Sequence, residues 1–281
     1  MSGAERNGPV VGIIGSPVGH SLTPTLQSAA FEALGLGWSS VAFDVAAGGG
    51  AAAVQAMRSL SIRGLSVTMP LKAEVARAVD RLDPAAASLD SVNCLSLERG
   101  EVVGLSTDGA GLLASLAHEA GLDPMGRTVG IVGAGGAARA VVEAFARAGA
   151  AKVLVVARRT EAATACAQLA GRAGAAGSAE EVAEADVVIN ATPVGMLDTV
   201  ASDAEPLVDP CRLGAGQLAV DLVYHPRRTT WLQQAADAGA TPIGGLGMLV
   251  HQAAIQIERW TGCSAPVDAM WSAATAALED A

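Results

Sequence analysis

Residues 129–139 read Val-Gly-Ile-Val-Gly-Ala-Gly-Gly-Ala-Ala-Arg, which is an apolar strand, a glycine-rich turn and the start of a helix. Gly133 and Gly135 permit a tight turn and the close approach of a pyrophosphate, and Ala138 is a third small residue where the helix would cross the sheet. The N–H groups of the first helical turn would face the phosphates. Glycine–alanine turns are common in a chain rich in alanine, so the position of this turn between a strand and a helix is what predicts a dinucleotide site.

The next predicted strand indicates which dinucleotide is bound. It ends in Ala157-Arg158-Arg159-Thr160, where an NAD enzyme would place Asp or Glu against the ribose hydroxyls. Two arginines and a hydroxyl suit a 2′-phosphate, which guanidinium groups bind through forked, charge-assisted hydrogen bonds. A solvated turn at the start of a helix is the alternative. The pattern predicts NADP.

Strand and helix patterns alternate on both sides of this motif. Predicted strands lie at 10–14, 41–45, 65–67, 92–97, 102–105, 128–132, 153–156, 187–190 and 218–222. Predicted helices lie at 25–34, 51–60, 71–79, 136–148, 161–169, 229–238, 248–260 and 267–278. Such alternation predicts an α/β fold with mostly parallel sheets.

Two glycine-bearing joints, at residues 107–111 and 244–247, flank the second half of this series. We therefore expect a first domain at residues 1–108 that residues 245–281 complete, and a Rossmann-type NADP-binding domain at residues 109–244. The last two helices would return to the first domain.

The composition excludes several classes of function. The 281 residues are 51% hydrophobic, 16% charged and 3% aromatic, which is typical of a globular protein with aliphatic cores. A net charge of −10 argues against nucleic acid and anionic membranes as partners. No apolar run is long enough to span a bilayer, and residues 1–9 lack the apolar stretch of a signal peptide, so we expect a cytoplasmic protein.

The four cysteines are far apart and have no metal-binding spacing. Cys94, Cys166, Cys211 and Cys263 are expected to be small buried residues in a reducing compartment, with no disulfide and no metal site.

Lysine is rare in this chain. Only Lys72 and Lys152 occur, against sixteen arginines, and Lys72 follows a predicted strand and a Thr-x-Pro turn. Arginine does not release its proton in a protein, whereas lysine can act as an acid and then as a base. Lys72 is therefore a candidate acid–base residue, and a solvated lysine at a helix start is the alternative.

Ser21 and Thr23 stand two residues apart before a predicted helix. Thr23 followed by Pro24 is a common helix start, with Thr as the cap, and in isolation we favour this interpretation. The two hydroxyls could also bind a carboxylate.

Together these motifs resemble the shikimate dehydrogenase family. The resemblance is carried, in the family's order and over nearly the whole chain, by residues 15–24, 64–72, 91–93, 106–109, 133–139, 190–196, 221–226 and 245–252. It implies an enzyme of chorismate and aromatic amino acid biosynthesis that reversibly reduces 3-dehydroshikimate to shikimate with NADP. The first domain would then bind the substrate.

The resemblance also implies roles for individual residues. Lys72 and Asp108 would form the catalytic acid–base pair, because an alkoxide formed from a ketone needs a proton donor. The substrate would contact Ser21, Thr23, Ser66, Thr68, Asn93, Tyr224 and Gln252. The cofactor would contact Gly133, Ala134, Gly135, Gly136, Ala137, Arg158, Arg159, Thr160, Asn190, Thr192, Gly245 and Met248. The partner would be a small molecule, no metal is implied, and a homodimer is a further prediction.

Each of these roles has a structural alternative. Asp108 could cap the following helix, Asn93 could be a turn residue, Gln252 could satisfy a backbone group, and Tyr224 could be a packed ring with a solvated hydroxyl.

The chain also departs from the family's pattern at four positions. Ser66 replaces a usual Asn, Thr23 replaces a usual Ser, Ser106 replaces the Asn that commonly precedes Thr-Asp-Gly, and Ala163 stands where a further Arg is common. A dehydrogenase for quinate or an amino-substituted analogue therefore stays open, as does a ligand sensor without catalysis.

Overall fold

The computed structural model describes residues 8–197 and 204–279. They form two compact units: the first holds residues 8–107 and 250–279, and the second holds residues 108–197 and 204–249. The polar segment before residue 8, on which the expectation of no signal peptide rests, lies outside the described residues.

The first unit is built on a mixed sheet. Its strands are β1 (Val10–Gly15), β2 (Ser39–Asp44), β3 (Gly64–Val67), β4 (Arg81–Leu82), β5 (Cys94–Glu98) and β6 (Glu101–Leu105), in the order β2-β1-β3-β5-β6-β4. Strand β1 runs parallel to β2 and β3, β5 is antiparallel to β3 and β6, and β4 is parallel to β6. The carboxyl ends of β1, β3 and β6 therefore lie at the same edge as the start of β5.

Four helices alternate with these strands: α1 (Thr23–Ala33), α2 (Gly50–Ser59), α3 (Lys72–Ala76) and α4 (Pro84–Leu89). A largely aliphatic core includes Met57, Leu65, Leu71 and Leu95, as the low aromatic content predicts.

The second unit is built on a fully parallel sheet. Its strands are β7 (Thr128–Val132), β8 (Lys152–Val156), β9 (Gly174–Ala176), β10 (Val187–Asn190), β11 (Leu218–Asp221) and β12 (Thr241–Ile243), in the order β12-β11-β10-β7-β8-β9. The helices are α5 (Asp108–Ala120), α6 (Gly136–Arg147), α7 (Thr160–Ala167), α8 (Ala179–Ala183) and α9 (Thr230–Asp237). Strands β8 and β9 are added on one side of β7, and β10, β11 and β12 are then added on its other side. This change in strand order is the Rossmann arrangement. The predicted α/β fold is confirmed.

Two long helices end the chain, α10 (Leu246–Thr261) and α11 (Val267–Glu279). Trp260 of α10 is buried against β3, where a Cβ on Gly64 would overlap the indole ring. Its Nε1 donates a hydrogen bond of 2.9 Å to the carbonyl oxygen of Leu95. The absence of a side chain at residue 64 thus lets the end of α10 pack directly on the sheet.

Several predicted elements differ from the observed ones. The helix predicted at 71–79 is only Lys72–Ala76, because the chain then turns and Asp80 donates its N–H to the carbonyl oxygen of Val102. The helix predicted at 161–169 ends at Ala167 and continues as a 3-10 helix, Gln168–Ala173, in which Gly171 has a positive φ of 56°.

Six elements had no predicted range: the long helix α5, whose first turn was interpreted as a glycine-bearing joint, and the short elements β4, β9, β12, α4 and α8. The three strands have two or three residues, which is too few for a periodic pattern. The two short helices do have start signals, since Asp83 caps α4 and Ser178 forms a capping box with Glu181 at α8.

The cysteine prediction was wrong for two of the four residues. Cys94 and Cys166 are buried, whereas Cys211 and Cys263 are exposed. Cys211 lies in a short 3-10 helix at the surface, Pro210–Arg212, and Cys263 follows the end of α10. No helix in the described ranges is both long and apolar enough for a transmembrane span.

Candidate active site

The first unit gathers its predicted site residues at the edge where β1, β3 and β6 end and β5 begins. Backbone hydrogen bonds join the segments there: the N–H of Ser16 donates to the carbonyl oxygen of Met69 at 3.0 Å, and that of Val92 donates to the carbonyl oxygen of Lys72 at 3.0 Å. The first bond joins the β1 and β3 turns, and the second holds the start of α3 beside the segment that leads into β5. Lys72, the first residue of α3, is half-buried.

The hydroxyl pair after β1 does not cap α1 in the way the sequence suggested. The helix begins at Thr23 itself, and its cap position is Leu22, which makes no side-chain cap. The Thr23 side chain is buried, and its N–H donates to Ser21 Oγ at 3.2 Å. The interpretation of Thr23 as the cap is therefore wrong, because Ser21 accepts the hydrogen bond from the first helical turn. Thr68, in the turn after β3, is half-buried.

Asn93 is held by Thr107 rather than being an ordinary turn residue. Its Oδ1 accepts from the backbone N–H of Thr107 at 2.7 Å, and its Nδ2 donates to Thr107 Oγ1 at 2.9 Å. Both residues are buried. Because the backbone N–H can only donate, this contact fixes the Asn93 oxygen beside the Thr107 N–H and thereby the orientation of the amide.

Ser66 lies inside a buried polar cluster. Its Oγ accepts from Gln27 Nε2 at 3.1 Å and donates to Gln256 Oε1 at 2.5 Å. The Nε2 of Gln256 in turn donates to Gln252 Oε1 at 2.8 Å. The predicted site residues Ser66 and Gln252 are thus linked through Gln256, which the sequence analysis did not single out.

In the second unit the glycine turn lies at the carboxyl end of β7. Gly133 has φ of 111°, which favours glycine, and a Cβ there would come within 3.0 Å of the carbonyl oxygen of Ala191. At Gly135 and Gly136 an added Cβ would meet nothing within 4 Å. The backbone is therefore open to a ligand at the N-terminus of α6.

A cavity of about 610 Å³ adjoins this turn. Its lining includes Gly133, Ala134, Gly135, Arg158, Arg159 and Thr192. Both arginines are exposed, as is Thr160 at the start of α7, and Ala137 is half-buried in the first turn of α6. An open glycine turn, a helix N-terminus and two guanidinium groups fit a dinucleotide with a phosphorylated ribose.

A buried carboxyl orders the neighbouring loops. Asp221, at the end of β11, accepts hydrogen bonds from Asn190 Nδ2 at 3.1 Å, from the backbone N–H of Val223 at 3.1 Å and from Thr229 Oγ1 at 2.6 Å. Asn190 Oδ1 accepts from both the N–H and the hydroxyl of Thr192, at 3.1 and 2.6 Å. Two residues of the predicted cofactor set are therefore positioned by a carboxyl that was not in that set.

Burial raises the pKa of Asp221 from 3.8 to about 6, although the hydrogen bonds from Thr229, Val223 and Asn190 oppose this shift. A raised pKa means that the folded state favours the protonated carboxyl, so its contribution to stability is complete below pH 3.8 and is lost as the pH rises through 6.

We expect Asp221→Asn to remove this pH dependence, because the amide keeps the size of the carboxyl without ionising. Between pH 4 and 7 the wild type should lose about 2 kcal/mol of unfolding free energy relative to the variant. Urea unfolding of both proteins at several pH values measures the difference. A constant offset between the two across this range would contradict the prediction.

Three other predicted residues of the second unit lie outside this cluster. Tyr224 is half-buried, and burial raises the pKa of its hydroxyl. A Cβ on Gly245 would overlap the Leu222 carbonyl oxygen, so close packing alone already requires glycine there. Met248 is partly buried and packs on the core of the second unit.

Comparison with known proteins places this geometry in a family. Residues 13–95 match the shikimate dehydrogenase substrate-binding domain, and residues 245–275 match the shikimate 5′-dehydrogenase C-terminal domain. Residues 128–221 match a family described as NADP oxidoreductase, coenzyme F420-dependent. A shikimate dehydrogenase (NADP(+)) of Methanopyrus kandleri is 42% identical to this chain over 277 residues, covering 95% of this chain and 94% of the relative. The chain belongs to the shikimate dehydrogenase family.

Solved structures of similar proteins agree with this assignment. A shikimate 5-dehydrogenase of Thermus thermophilus, in complex with NADP(H) and shikimate, is 34% identical with a TM-score of 0.87, covering 96% of this chain and 100% of that one. A 5-ketofructose reductase of Gluconobacter is 31% identical, also with a TM-score of 0.87, covering 96% and 98%. The predicted family is confirmed, and one structural relative carries the name of a different substrate.

The predicted site residues of this shikimate dehydrogenase family member are divided between the two units. The first holds Ser21, Thr23, Ser66, Thr68, Lys72, Asn93 and Gln252, and the second holds Asp108, Tyr224 and all the residues predicted for the cofactor. Asp108 is half-buried in the first turn of α5, where a negative charge is favourable whatever else the residue does.

Five residues that hold the predicted ones were not predicted from sequence patterns: Gln27, Thr107, Asp221, Thr229 and Gln256. Two of them had a readable signal. Gln27 is four residues after Thr23 and Gln256 is four after Gln252, so each pair places two polar side chains on one helix face. Gln27 and Gln256 are fully buried.

Proposed function

We propose that this chain is an NADP-dependent shikimate dehydrogenase in which Lys72 and Asp108 form the acid–base pair. One observation supports this proposal above the others. The edge of the first sheet that presents Lys72 also presents hydroxyl groups and buried, oriented amides, which are the partners that a carboxylate and a polyol require.

Lys72 acts on the oxygen of the reacting carbon. When NADPH is bound, the cofactor supplies the hydride that reduces the ketone. The carbonyl oxygen then gains negative charge, and the Lys72 ammonium donates the proton that completes the alcohol. In the oxidative direction the amine takes this proton back. Arginine would not serve, because its proton is not released.

Asp108 orients the ammonium of Lys72 toward the reacting oxygen. Asn93, Thr68 and Gln252 bind ring hydroxyls. Ser21, Thr23 and Tyr224 bind the carboxylate.

The cofactor is held by the glycine turn and by the arginines of the second unit. The N–H groups at the start of α6 bind the pyrophosphate, and Arg158 and Arg159 bind the 2′-phosphate. Thr192, held by Asn190, lines the same cavity. Asn190, which is held by Asp221, and Gly245 and Met248 complete the proposed cofactor contacts. We also propose that the enzyme works in the cytoplasm and that it forms a homodimer. Sedimentation in solution tests the homodimer.

Quinate is a second candidate substrate, because Thr23 adds a methyl group beside the proposed carboxylate site and a structural relative, 27% identical with a TM-score of 0.87, is named quinate dehydrogenase. Initial rates with shikimate and with quinate, each with NADP and with NAD, distinguish the candidates. We expect the largest kcat/KM for shikimate with NADP. A larger value for quinate would change the substrate and leave the reaction type intact.

The same assay should include 5-ketofructose with NADPH, since a structural relative is named for its reduction. Reduction of 5-ketofructose without any turnover of shikimate would overturn the substrate assignment. Bound ligand without any turnover of these substrates would favour a sensor and would overturn the enzymatic function.

A further inference from the structure

A continuous chain of buried hydrogen bonds runs through the first unit. It starts at Ser40 Oγ, which donates to Gln27 Oε1 at 2.5 Å, and continues through Ser66 to Gln256 and Gln252. Along this chain each group accepts from the one before it and donates to the next. All its members except Ser40 are buried, and Gln27 and Gln256 are inaccessible to solvent.

A backbone carbonyl fixes the donor-to-acceptor direction of these hydrogen bonds. Gln256 Nε2 lies 3.4 Å from the carbonyl oxygen of Asn93, which can only accept a hydrogen bond. Reversing the Gln256 amide would place two oxygens against each other there. The nitrogen of Gln256 must therefore face Asn93, Thr107 and Gln252, and its oxygen must face Ser66.

This direction determines how Gln252 is presented. Because the nitrogen of Gln256 donates to Gln252, the Gln252 amide must turn its oxygen toward Gln256 and its nitrogen away from it. The side chain thus offers N–H donors, which suit the lone pairs of a hydroxyl group. A reversed amide would offer an acceptor.

Ser66 is part of the same series of hydrogen bonds. Its single hydroxyl proton is donated to Gln256, so Ser66 has no proton left to donate to a substrate. The Asn that is usual at this position in the family would have carried two such donors. The effect of Ser66 on a ligand therefore passes through Gln256.

We propose that Gln256 is a positioning residue that sets the donor sense of the Gln252 amide for recognition of a substrate hydroxyl, and that Ser66 acts only by orienting Gln256. This inference rests on the proposed function. It makes Gln256, a residue of the first unit, a determinant of affinity for the ring substrate.

The test is Gln256→Met, which keeps the length of the side chain and removes both its donor and its acceptor. We expect KM for shikimate to rise about tenfold, as for the loss of one well-oriented hydrogen bond. The values of kcat and of KM for NADP should change by less than about threefold. Gln256→Glu, which replaces the donor with an oxygen, should change KM in the same direction and serves if the first variant does not fold.

Trp260→Phe is the matched control. Trp260 is buried and lies one turn after Gln256 in α10. The variant loses one hydrogen bond, to the carbonyl oxygen of Leu95, which is not part of the hydrogen-bond series from Ser40 to Gln252. This variant should lower the melting temperature while KM for shikimate stays within about twofold of wild type. An equal rise in KM in the two variants would show a purely structural role and overturn the inference.

Combination with Gln252→Ala gives a second readout. If Gln256 acts through Gln252, adding Gln256→Met to Gln252→Ala should raise KM by less than about threefold. Full multiplication of the two effects would contradict the proposal. Absence of shikimate turnover in the wild type would instead overturn the proposed function, so the two failures are distinguishable.

Discussion

Replacing Lys72 with alanine is expected to lower kcat by roughly 10²–10⁴-fold, the range typical of losing a general acid–base group. The affinity for NADP should be unchanged, because the glycine turn and the two arginines that bind it lie in the second unit. Steady-state kinetics with shikimate and NADP, together with a direct titration of the cofactor, measure both quantities.

Lys152→Ala is the natural control for this experiment. Lys152 is the only other lysine in the chain and is exposed at the start of β8, so its loss changes the net charge equally. This variant should keep kcat within about twofold of wild type. Near-wild-type turnover of Lys72→Ala would remove the lysine from the mechanism.

The second large effect is expected on cofactor choice. In the double variant Arg158→Ala with Arg159→Ala, KM for NADP should rise by about 10²-fold, since two charge-assisted contacts with the 2′-phosphate are lost. KM for NAD should change by less than about threefold, because NAD has no phosphate at that position.

Arg172→Ala controls for the loss of positive charge in the same unit. Arg172 is exposed in the 3-10 helix after α7 and does not line the cavity of the glycine turn. It should leave both KM values near wild type. Equal weakening of NADP and NAD in the double variant would reject the assignment of the arginines to the 2′-phosphate.

The parts of the fold that sequence patterns predicted are those with repeated signals. Strands such as β7 and β10 are continuous apolar runs, and α6 follows a glycine turn, so periodicity and turn chemistry agree. The short strands β4, β9 and β12 depend on pairing with a neighbouring strand, which no local pattern contains. The early end of α3 likewise depends on the bond between Asp80 and β6.

The predicted site is likewise divided into residues with a local sequence signal and residues whose role depends on distant partners. Lys72, Asn93 and Asp108 sit at the ends of elements, where motif and position coincide. Gln256 is different, because its proposed role depends on a hydrogen bond from Ser66, which is 190 residues away in the sequence. A single glutamine on an apolar helix face is ambiguous until its partners are known, and only the fold supplies them.

The most direct test of the central claim is a double-mutant cycle on Lys72 and Asp108. Turnover of shikimate with NADP is measured for Lys72→Ala, for Asp108→Asn and for the double variant. Groups that act as one unit give non-additive effects, so the double variant should be at most about threefold slower than the slower single variant. If the two losses multiply, the lysine and the aspartate act independently and the acid–base pair is contradicted.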